Sequence, residues 1–296
     1  LFAAAARHSR ACFVGLLSLQ RRFAVRCSGR DRHYGGFAGR NGGSASCRAA
    51  WYGGTLCQPM YDTFYTAFLR YAAALERCAG MGLYLTQGGK KMKFGCCVNM
   101  LATLDDPAGL RWLEKVAAAG FDYVELPVAE IMLLDDDAFD GLLAKLDSLG
   151  LRCESCNNFF PKELKLTGGE RNEEHIQAYL SRALPRIRSL GAQTIVFGSA
   201  GAKNVPQGFP MDMAWEQVAE DLRIISAQMA AVMPQARVAI EPVCRKESNI
   251  LLNYSEGVAM CKKVARENVL CLVDYYHMRM EDEPVEHLLA NGDLLR

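Results

Sequence analysis

The 296-residue sequence predicts an α/β fold, a (β/α)8 barrel in which about six of the eight units can be recognised. Three observations lead to this prediction. Short apolar runs alternate with amphipathic helical stretches from Met92 onward. Most of the helical stretches end near a glycine or an asparagine, as helices that return to a parallel strand often do. Polar side chains follow nearly every strand, which is typical of the carboxyl-terminal face of a barrel.

Each element has its own local signals. The first helix has Asp105 or Asp106 to cap it and Gly120 to stop it, and the acidic run 135–137 caps the second. Residues 294–295 are expected to begin a further strand. The predicted strands are 93–98, 121–126, 151–155, 193–197, 237–241 and 269–274, and the predicted helices are 107–119, 137–149, 172–190, 213–232, 255–266 and 284–290.

A doubly wound open sheet would show the same alternation of strands and helices. That architecture needs a glycine-rich phosphate turn after its first strand. Residues 96–100 contain no glycine, so we favour the barrel. The mouth of the barrel would then be lined by the polar strand-end residues Asn99, Glu125, Asn157, Asn158, Gly198, Ser199, Glu241, Asp274 and His277.

Residues 1–91 differ in composition from the rest of the chain. They carry 13 basic and three acidic residues and 13 of the 26 glycines, whereas residues 92–296 carry 21 basic and 30 acidic residues. Such a Gly/Arg-rich segment rarely builds a core. The codons that residues 87–92 allow also include a ribosome-binding element before a start codon at Met92. We therefore expect residues 1–91 to be an unstructured, non-native leader, with a transit peptide or a basic nucleic-acid arm as the alternatives.

Composition also excludes several classes of protein. No apolar stretch reaches the ~20 residues needed to cross a bilayer, so no membrane partner is expected. The acidic excess of residues 92–296 argues against a nucleic-acid partner. The lone pair Cys153 and Cys156 has no second pair or histidine with zinc spacing, and Cys96, Cys153 and Cys271 fall in apolar strands. Free thiols of this kind indicate a reduced, cytoplasmic setting.

Two strand ends carry carboxylates that are costly to bury. Glu241 ends one apolar strand and Asp274 ends the next. A buried carboxylate needs a metal ion, a cation or hydrogen-bond donors around it. Because neighbouring strands lie about 4.8 Å apart, the two carboxylates could bind one divalent ion. A salt bridge is the alternative for Glu241, and His277 either contacts a substrate, supports the metal ligands or is an ordinary loop residue.

Three other features give weaker signals. Lys203 and Asn204 indicate a phosphate contact or, more often, a solvated loop. Glu125 either lines the mouth or pairs with a basic residue. Tyr275 and Tyr276 alternate at a strand end, which predicts one core aromatic and one pocket aromatic.

The residues around the two carboxylates resemble the xylose isomerase-like TIM barrels, especially the ketose 3-epimerases and related sugar or sugar-phosphate isomerases. The resemblance rests on segments 240–249 and 273–283, while residues 196–199 and 204–206 are similar to the fourth strand and loop of that family. It covers residues 92–296, which we therefore expect to be a partial barrel of this family.

The resemblance implies a divalent metal ion as cofactor, with Mn, Mg, Co and Zn not distinguished. Glu241 corresponds to a metal ligand that is also one of two acid/base carboxylates, and Asp274 corresponds to a second metal ligand. Glu247 and His277 correspond to positions that contact the sugar. Cys244 stands where an asparagine is common, which would alter the hydrogen bonding beside the substrate.

The family takes its third metal ligand, a histidine, from its seventh strand and its fourth, the second acid/base glutamate, from its eighth. Both would follow Arg296, so the chain as given is expected to be a C-terminally truncated, inactive fragment. With Glu241 alone, we expect exchange of the proton beside the carbonyl through an enediolate, without inversion.

Two other functions remain open. One is a non-catalytic sugar-binding barrel. The other is an abasic-site endonuclease-like barrel, which needs several metal ions and histidines at strand ends, whereas His175 lies in a predicted helix and only His277 follows a strand. The expected partner is a small-molecule sugar or sugar phosphate, and a homo-oligomer of the full-length protein is left open.

Overall fold

The computed structural model describes residues 93–289 and 291–295, together with the backbone of residues 86, 87, 90 and 91. The expected leader therefore lies outside the described residues, apart from Thr86–Gln87 and Lys90–Lys91, which pair as short antiparallel strands. No helix in the described part of the chain is long and apolar enough to cross a membrane.

A sheet of six parallel strands lies at the centre of the described residues. Each strand is hydrogen-bonded to the next one in sequence, whereas a doubly wound sheet reverses its order in the middle. The prediction of a barrel order is therefore confirmed. Leu295 also forms a parallel bridge with Cys271, at the place where the sequence predicts a further strand. The strands are β1 (Gly95–Cys97), β2 (Tyr123–Pro127), β3 (Arg152–Asn157), β4 (Thr194–Phe197), β5 (Arg237–Ile240) and β6 (Val269–Cys271).

Helices connect these strands. Three short helices, Val128–Ile131, Ala200–Lys203 and Tyr275–Met280, begin within a few residues of the end of a strand and were not predicted. The helices are α1 (Leu113–Ala118), α2 (Val128–Ile131), α3 (Asp136–Ser148), α4 (Glu173–Leu190), α5 (Ala200–Lys203), α6 (Met211–Val232), α7 (Tyr254–Val264), α8 (Tyr275–Met280) and α9 (Glu286–Leu289), with 3-10 turns at Val98–Leu101, Leu110–Trp112 and Gly292–Leu294.

The helix ends follow the capping signals of the sequence. The Asp135 side chain accepts a hydrogen bond from the Ala138 N–H at 2.8 Å, which confirms the acidic run as a cap. The first helix begins later than predicted. Gly109 adopts a left-handed φ of 72°, so helical structure starts only at Leu110, whose N–H is capped by Asp106 at 2.9 Å.

The core lies between the sheet and the helices that cover it. Apolar residues on α4 and α6 recur every three or four positions and are at most 1% exposed, as on a helix that buries one face. Cys96, Cys153 and Cys271 are buried free thiols, as predicted from their apolar surroundings. The apolar residues that form the buried faces of these two helices are Ile176, Leu180, Leu184 and Ile187 on α4 and Val218, Leu222, Ile225 and Met229 on α6.

A buried ion pair joins the segment before α4 to α6. Asp221 is fully buried, and its Oδ1 accepts hydrogen bonds from Nε and Nη2 of Arg171 at 3.0 and 2.7 Å. Its Oδ2 is buried and has no hydrogen-bond partner in the described residues. Burial raises the pKa of Asp221 to about 6, although the Arg171 guanidinium opposes this shift.

Asp221 is expected to make stability depend on pH. Its folded-state pKa of about 6 lies above the unfolded value of about 4, so the folded protein holds the proton more tightly. The resulting stabilisation is complete below about pH 4 and is lost as the pH rises through 6. Between pH 4 and 7 we expect the free energy of unfolding to fall by about 3 kcal/mol more in the wild type than in Asp221→Asn.

Urea unfolding at several pH values measures this difference. Asp136→Asn is the matched control, because Asp136 also pairs with an arginine, Arg186, but its side chain is 97% exposed. Parallel pH curves for the wild type and Asp221→Asn would contradict the prediction.

Candidate metal and substrate site

The carboxylate of Glu241 lies at the end of the most deeply buried strand. Val238, Ala239 and Ile240 of β5 are all 0% exposed, and the Glu241 N–H donates to the Phe197 carbonyl at 3.1 Å. The side chain lies over Gly198, directly after β4, where a Cβ atom would overlap Oε2 of Glu241. Glycine at position 198 is therefore what gives the carboxylate its space.

Asp274 lies beyond the end of β6 and caps α8. Its Oδ1 accepts a hydrogen bond from the Tyr276 N–H at 2.6 Å. The strand ends at Cys271 rather than at Asp274, and helix α8 begins at Tyr275. The two tyrosines lie on a helix and not on a pleated strand, and they are 49% and 48% exposed, so the prediction that one of them is a core aromatic is wrong. That the other is a pocket aromatic stays a prediction.

His277 lies in the first turn of α8. Its Nδ1 accepts a hydrogen bond from the Cys244 N–H at 3.3 Å, which assigns the proton of the neutral ring to Nε2. A turn after β5 brings Glu247 to the same place, since the N–H groups of Glu247 and Ser248 both donate to the Cys244 carbonyl, at 2.9 and 3.1 Å. The ring of His277 thus offers a donor, and Glu247 offers an acceptor, beside Glu241.

The structure brings together the four residues that the sequence predicts for the site. Donor atoms of Glu241, Asp274 and His277 lie within 4.8 Å of one another, and so do donor atoms of Cys244, Glu247 and His277. His277 belongs to both sets of residues, so the two sets lie next to each other. The roles of Glu241, Asp274, Glu247 and His277 as catalyst, metal ligands and sugar contacts stay predictions.

Lys203 belongs to this site in a way that the sequence did not predict. It is 0% exposed at the end of α5, and its Nζ donates to the carbonyl oxygen of Glu241 at 3.1 Å. The expectations of a solvated loop or a phosphate contact are therefore wrong. The small residues 200–202 that precede Lys203 were a signal of close packing, but they could not identify its partner.

Asn204 is also engaged within the protein. Its Nδ2 donates to the Glu247 carbonyl at 3.1 Å, and its Oδ1 accepts from the Ser248 hydroxyl at 2.8 Å. The loop after α5 consequently holds the turn that carries Glu247.

The electrostatics of the site are dominated by carboxylates. Burial raises the pKa of Glu241; Lys203 opposes this shift, whereas Asp274, Glu125 and Glu247 add to it. Burial also lowers the pKa of Lys203, and the Glu241 charge opposes that shift. One buried ammonium group therefore lies among several acids.

The opposite side of the mouth is formed by β1, β2 and β3. Burial, together with the charge of Glu125, raises the pKa of the Cys97 thiol. Nδ2 of Asn157 donates to the Cys97 sulfur at 3.1 Å, while its Oδ1 is buried without a partner in the described residues. The side chain of Asn158 contacts another part of the protein: its Nδ2 donates to both carboxylate oxygens of Glu130, and its backbone has a φ of 43°.

The chemistry of these donors fits a divalent cation. The carboxylates of Glu241 and Asp274 are the hard oxygen ligands that such ions prefer. Burial is the main reason why the pKa of Glu241 is raised, and the negative charge of Asp274 adds to it. A bound cation would relieve the repulsion between these two carboxylates. The protonated Nε2 of His277 is better suited to donate a hydrogen bond to a substrate oxygen than to bind the ion.

Comparison with known proteins agrees with this fold. The chain is 24% identical over 187 residues to D-psicose 3-epimerase from Agrobacterium fabrum (strain C58 / ATCC 33970), an alignment that covers 62% of each protein. Its fold is similar to the crystal structure of D-allulose 3-epimerase from Methylomonas sp. in complex with D-allulose, with a TM-score of 0.59, 22% identity and 70% of each chain covered. It is also similar to 3-keto-D-glucoside 4-epimerase from E. coli, with a TM-score of 0.56, 20% identity, and 69% of this chain and 77% of that chain covered.

The chain thus spans 62% of the length of the curated epimerase that it matches, and its relatives include sugar epimerases. The family model described as "Xylose isomerase-like TIM barrel" matches residues 113–295, which include β2 to β6 and the Glu241 and Asp274 site. This chain therefore belongs to the xylose isomerase-like TIM barrel family.

Proposed function

We propose that the site belongs to a divalent-metal-dependent sugar isomerase or epimerase, which moves a proton beside the carbonyl of a ketose or ketose phosphate. The observation that carries this proposal is the pair of carboxylates of Glu241, which directly follows β5, and Asp274, which lies beyond the end of β6, with donor atoms within 4.8 Å of each other. The epimerase names of the relatives support the substrate class.

Glu241 and Asp274 would hold the metal ion. When bound there, the ion supplies a positive charge that polarises the sugar carbonyl and stabilises the negative charge of an enediolate. The second task of Glu241 is to remove the proton from the carbon beside the carbonyl. Its carboxylate would accept that proton as the general base of the step.

Two other side chains would orient the sugar. His277 would donate the Nε2 proton to a sugar oxygen, since its Nδ1 is engaged by the Cys244 N–H. Glu247 would accept a hydrogen bond from a sugar hydroxyl. Each of them lies within reach of the same central point, because donor atoms of Glu247 and His277 are within 4.8 Å of each other.

Inversion at carbon requires a second acid on the opposite face of the sugar. In the described residues we assign one acid/base carboxylate, Glu241. Glu241 would remove the proton and return it on one face of the sugar, which is measured as exchange of that proton with solvent.

Deuterium exchange tests the proposed function. The 296-residue chain is incubated with Mn²⁺ in D₂O and with D-fructose, D-allulose or D-fructose 6-phosphate, and mass spectrometry and ¹H NMR locate the incorporated deuterium. We expect incorporation at a carbon beside the carbonyl that stops when a chelator removes the metal. Sugar binding without exchange would instead identify a binding protein. If the chain neither bound nor exchanged any of these sugars, the proposal would be refuted.

A further inference from the structure

Lys203 is buried because its backbone is fixed on several sides. The Phe160 N–H donates to the Ser199 hydroxyl at 2.9 Å at the start of α5, and the Leu166 N–H donates to the Ala202 carbonyl at 3.0 Å. The Thr167 hydroxyl donates to the Lys203 carbonyl at 3.2 Å. With its backbone held in this way, the side chain points inward and cannot bring its ammonium group to water, as most partly buried lysines do.

The ammonium group is surrounded by acidic or potentially acidic groups. Glu241 and Glu247 are the carboxylates whose charge acts on it, the neutral Cys271 thiol lies near it, and the Glu241 carbonyl accepts its hydrogen bond at 3.1 Å. A fully buried charge is stable only with compensating charge and hydrogen bonds. For Lys203, both come principally from one residue, Glu241.

We infer that Lys203 is an internal counter-cation that positions Glu241 and, by its charge, weakens the binding of a divalent cation to the carboxylates of the site. This inference rests on the proposed function only in naming a divalent cation as the ligand. Lys203 touches Glu241 through the backbone, so it is a positioning residue and not a catalytic one.

Two charges of the same sign in one half-buried site repel each other strongly, because little water screens them. Lys203 and a divalent ion both interact with the charge of Glu241. The lysine stabilises the carboxylate cluster when no ion is bound, and the ion has to bind against the lysine charge. A protein with this arrangement folds without metal and binds the metal reversibly.

Metal titration separates this role from a merely structural one. Mn²⁺ binding is measured by isothermal titration calorimetry for the wild type, Lys203→Met and Lys203→Gln, of which glutamine retains a donor for the Glu241 carbonyl. Removing the charge is expected to tighten Mn²⁺ binding by about 10-fold or more in both variants. If a Lys203 substitution only disrupted the local structure, Mn²⁺ binding would become weaker and not tighter. Lys246→Met is the matched control, because Lys246 is exposed in the adjacent turn and its charge is screened.

A double-mutant cycle in metal-free protein completes the test. Lys203→Met and Glu241→Gln are each expected to lower the thermal midpoint by leaving one buried charge alone, and the double variant is expected to recover most of that loss. Unchanged or weaker Mn²⁺ binding in both Lys203 variants, or additive effects in the cycle, would overturn the inference. Neither measurement requires sugar exchange, so the inference can fail or hold independently of the proposed activity.

Discussion

Replacing Glu241 by glutamine is expected to slow proton exchange between the sugar and solvent by about 10³-fold. An amide of the same shape cannot take a proton from carbon, and it is also a weaker metal ligand than a carboxylate. The initial rate of deuterium incorporation at saturating Mn²⁺ and several sugar concentrations gives kcat and KM separately. The loss should fall mainly on kcat, because the abstracted proton is transferred only in the chemical step.

Two matched variants make this result specific. Glu247→Gln is expected to raise KM by about 10-fold and to leave kcat within a few-fold, because it removes a hydrogen-bond acceptor for the sugar and not the base. Glu267→Gln, an exposed glutamate before β6, is expected to behave like the wild type. If Glu241→Gln exchanged the proton at the wild-type rate, Glu241 would not be the base.

Placing a methyl group at Gly198 is expected to impair the site while leaving the fold nearly intact. The added Cβ would overlap Oε2 of Glu241, which is the end of a flexible side chain and can swing away. The free energy of unfolding should fall by about 1–3 kcal/mol, as in other cases of overpacking, since the displaced carboxylate also stabilises the Lys203 charge less well. A displaced carboxylate should nevertheless lower both Mn²⁺ affinity and the exchange rate by about 100-fold.

Calorimetric Mn²⁺ titration and urea unfolding of Gly198→Ala measure the two effects. Gly169→Ala is the control, since nothing lies within 4 Å of a Cβ at that position and its φ is not in the left-handed region. A Gly198→Ala protein that is strongly destabilised but binds Mn²⁺ normally would show that the close approach of Gly198 to Glu241 serves packing alone.

The sequence was informative about the strands and about the polar residues at their ends. A buried parallel strand needs a continuous apolar run, so the polar residue that ends it is easily recognised, and Glu241 and Asp274 were found in this way. A helix cap was also recognisable from local sequence at Asp135, whose side chain accepts a hydrogen bond from the Ala138 N–H. Local signals were therefore sufficient for element order and for most of the candidate site.

The sequence was uninformative wherever the outcome depends on contacts between distant segments. Nothing near Lys203 in sequence indicates that its ammonium group meets the Glu241 carbonyl, because the two residues are brought together only by the pairing of β4 with β5. The helix at Tyr275 and Tyr276 was missed because Asp274, read as the end of a strand, is its cap. The late start of α1 depends on the left-handed conformation of Gly109, which a glycine permits but does not require.

The order of the strands also has a consequence for how the protein folds. Each strand from β1 to β6 pairs with the one made just before it, so every pairing closes a short segment of chain and can occur while later residues are still being synthesised. Lys203 is synthesised before Glu241, and Asp274 follows both in the sequence. Because Glu241 and Asp274 follow the neighbouring strands β5 and β6, a metal ion bound by both carboxylates would also stabilise the pairing of these two strands.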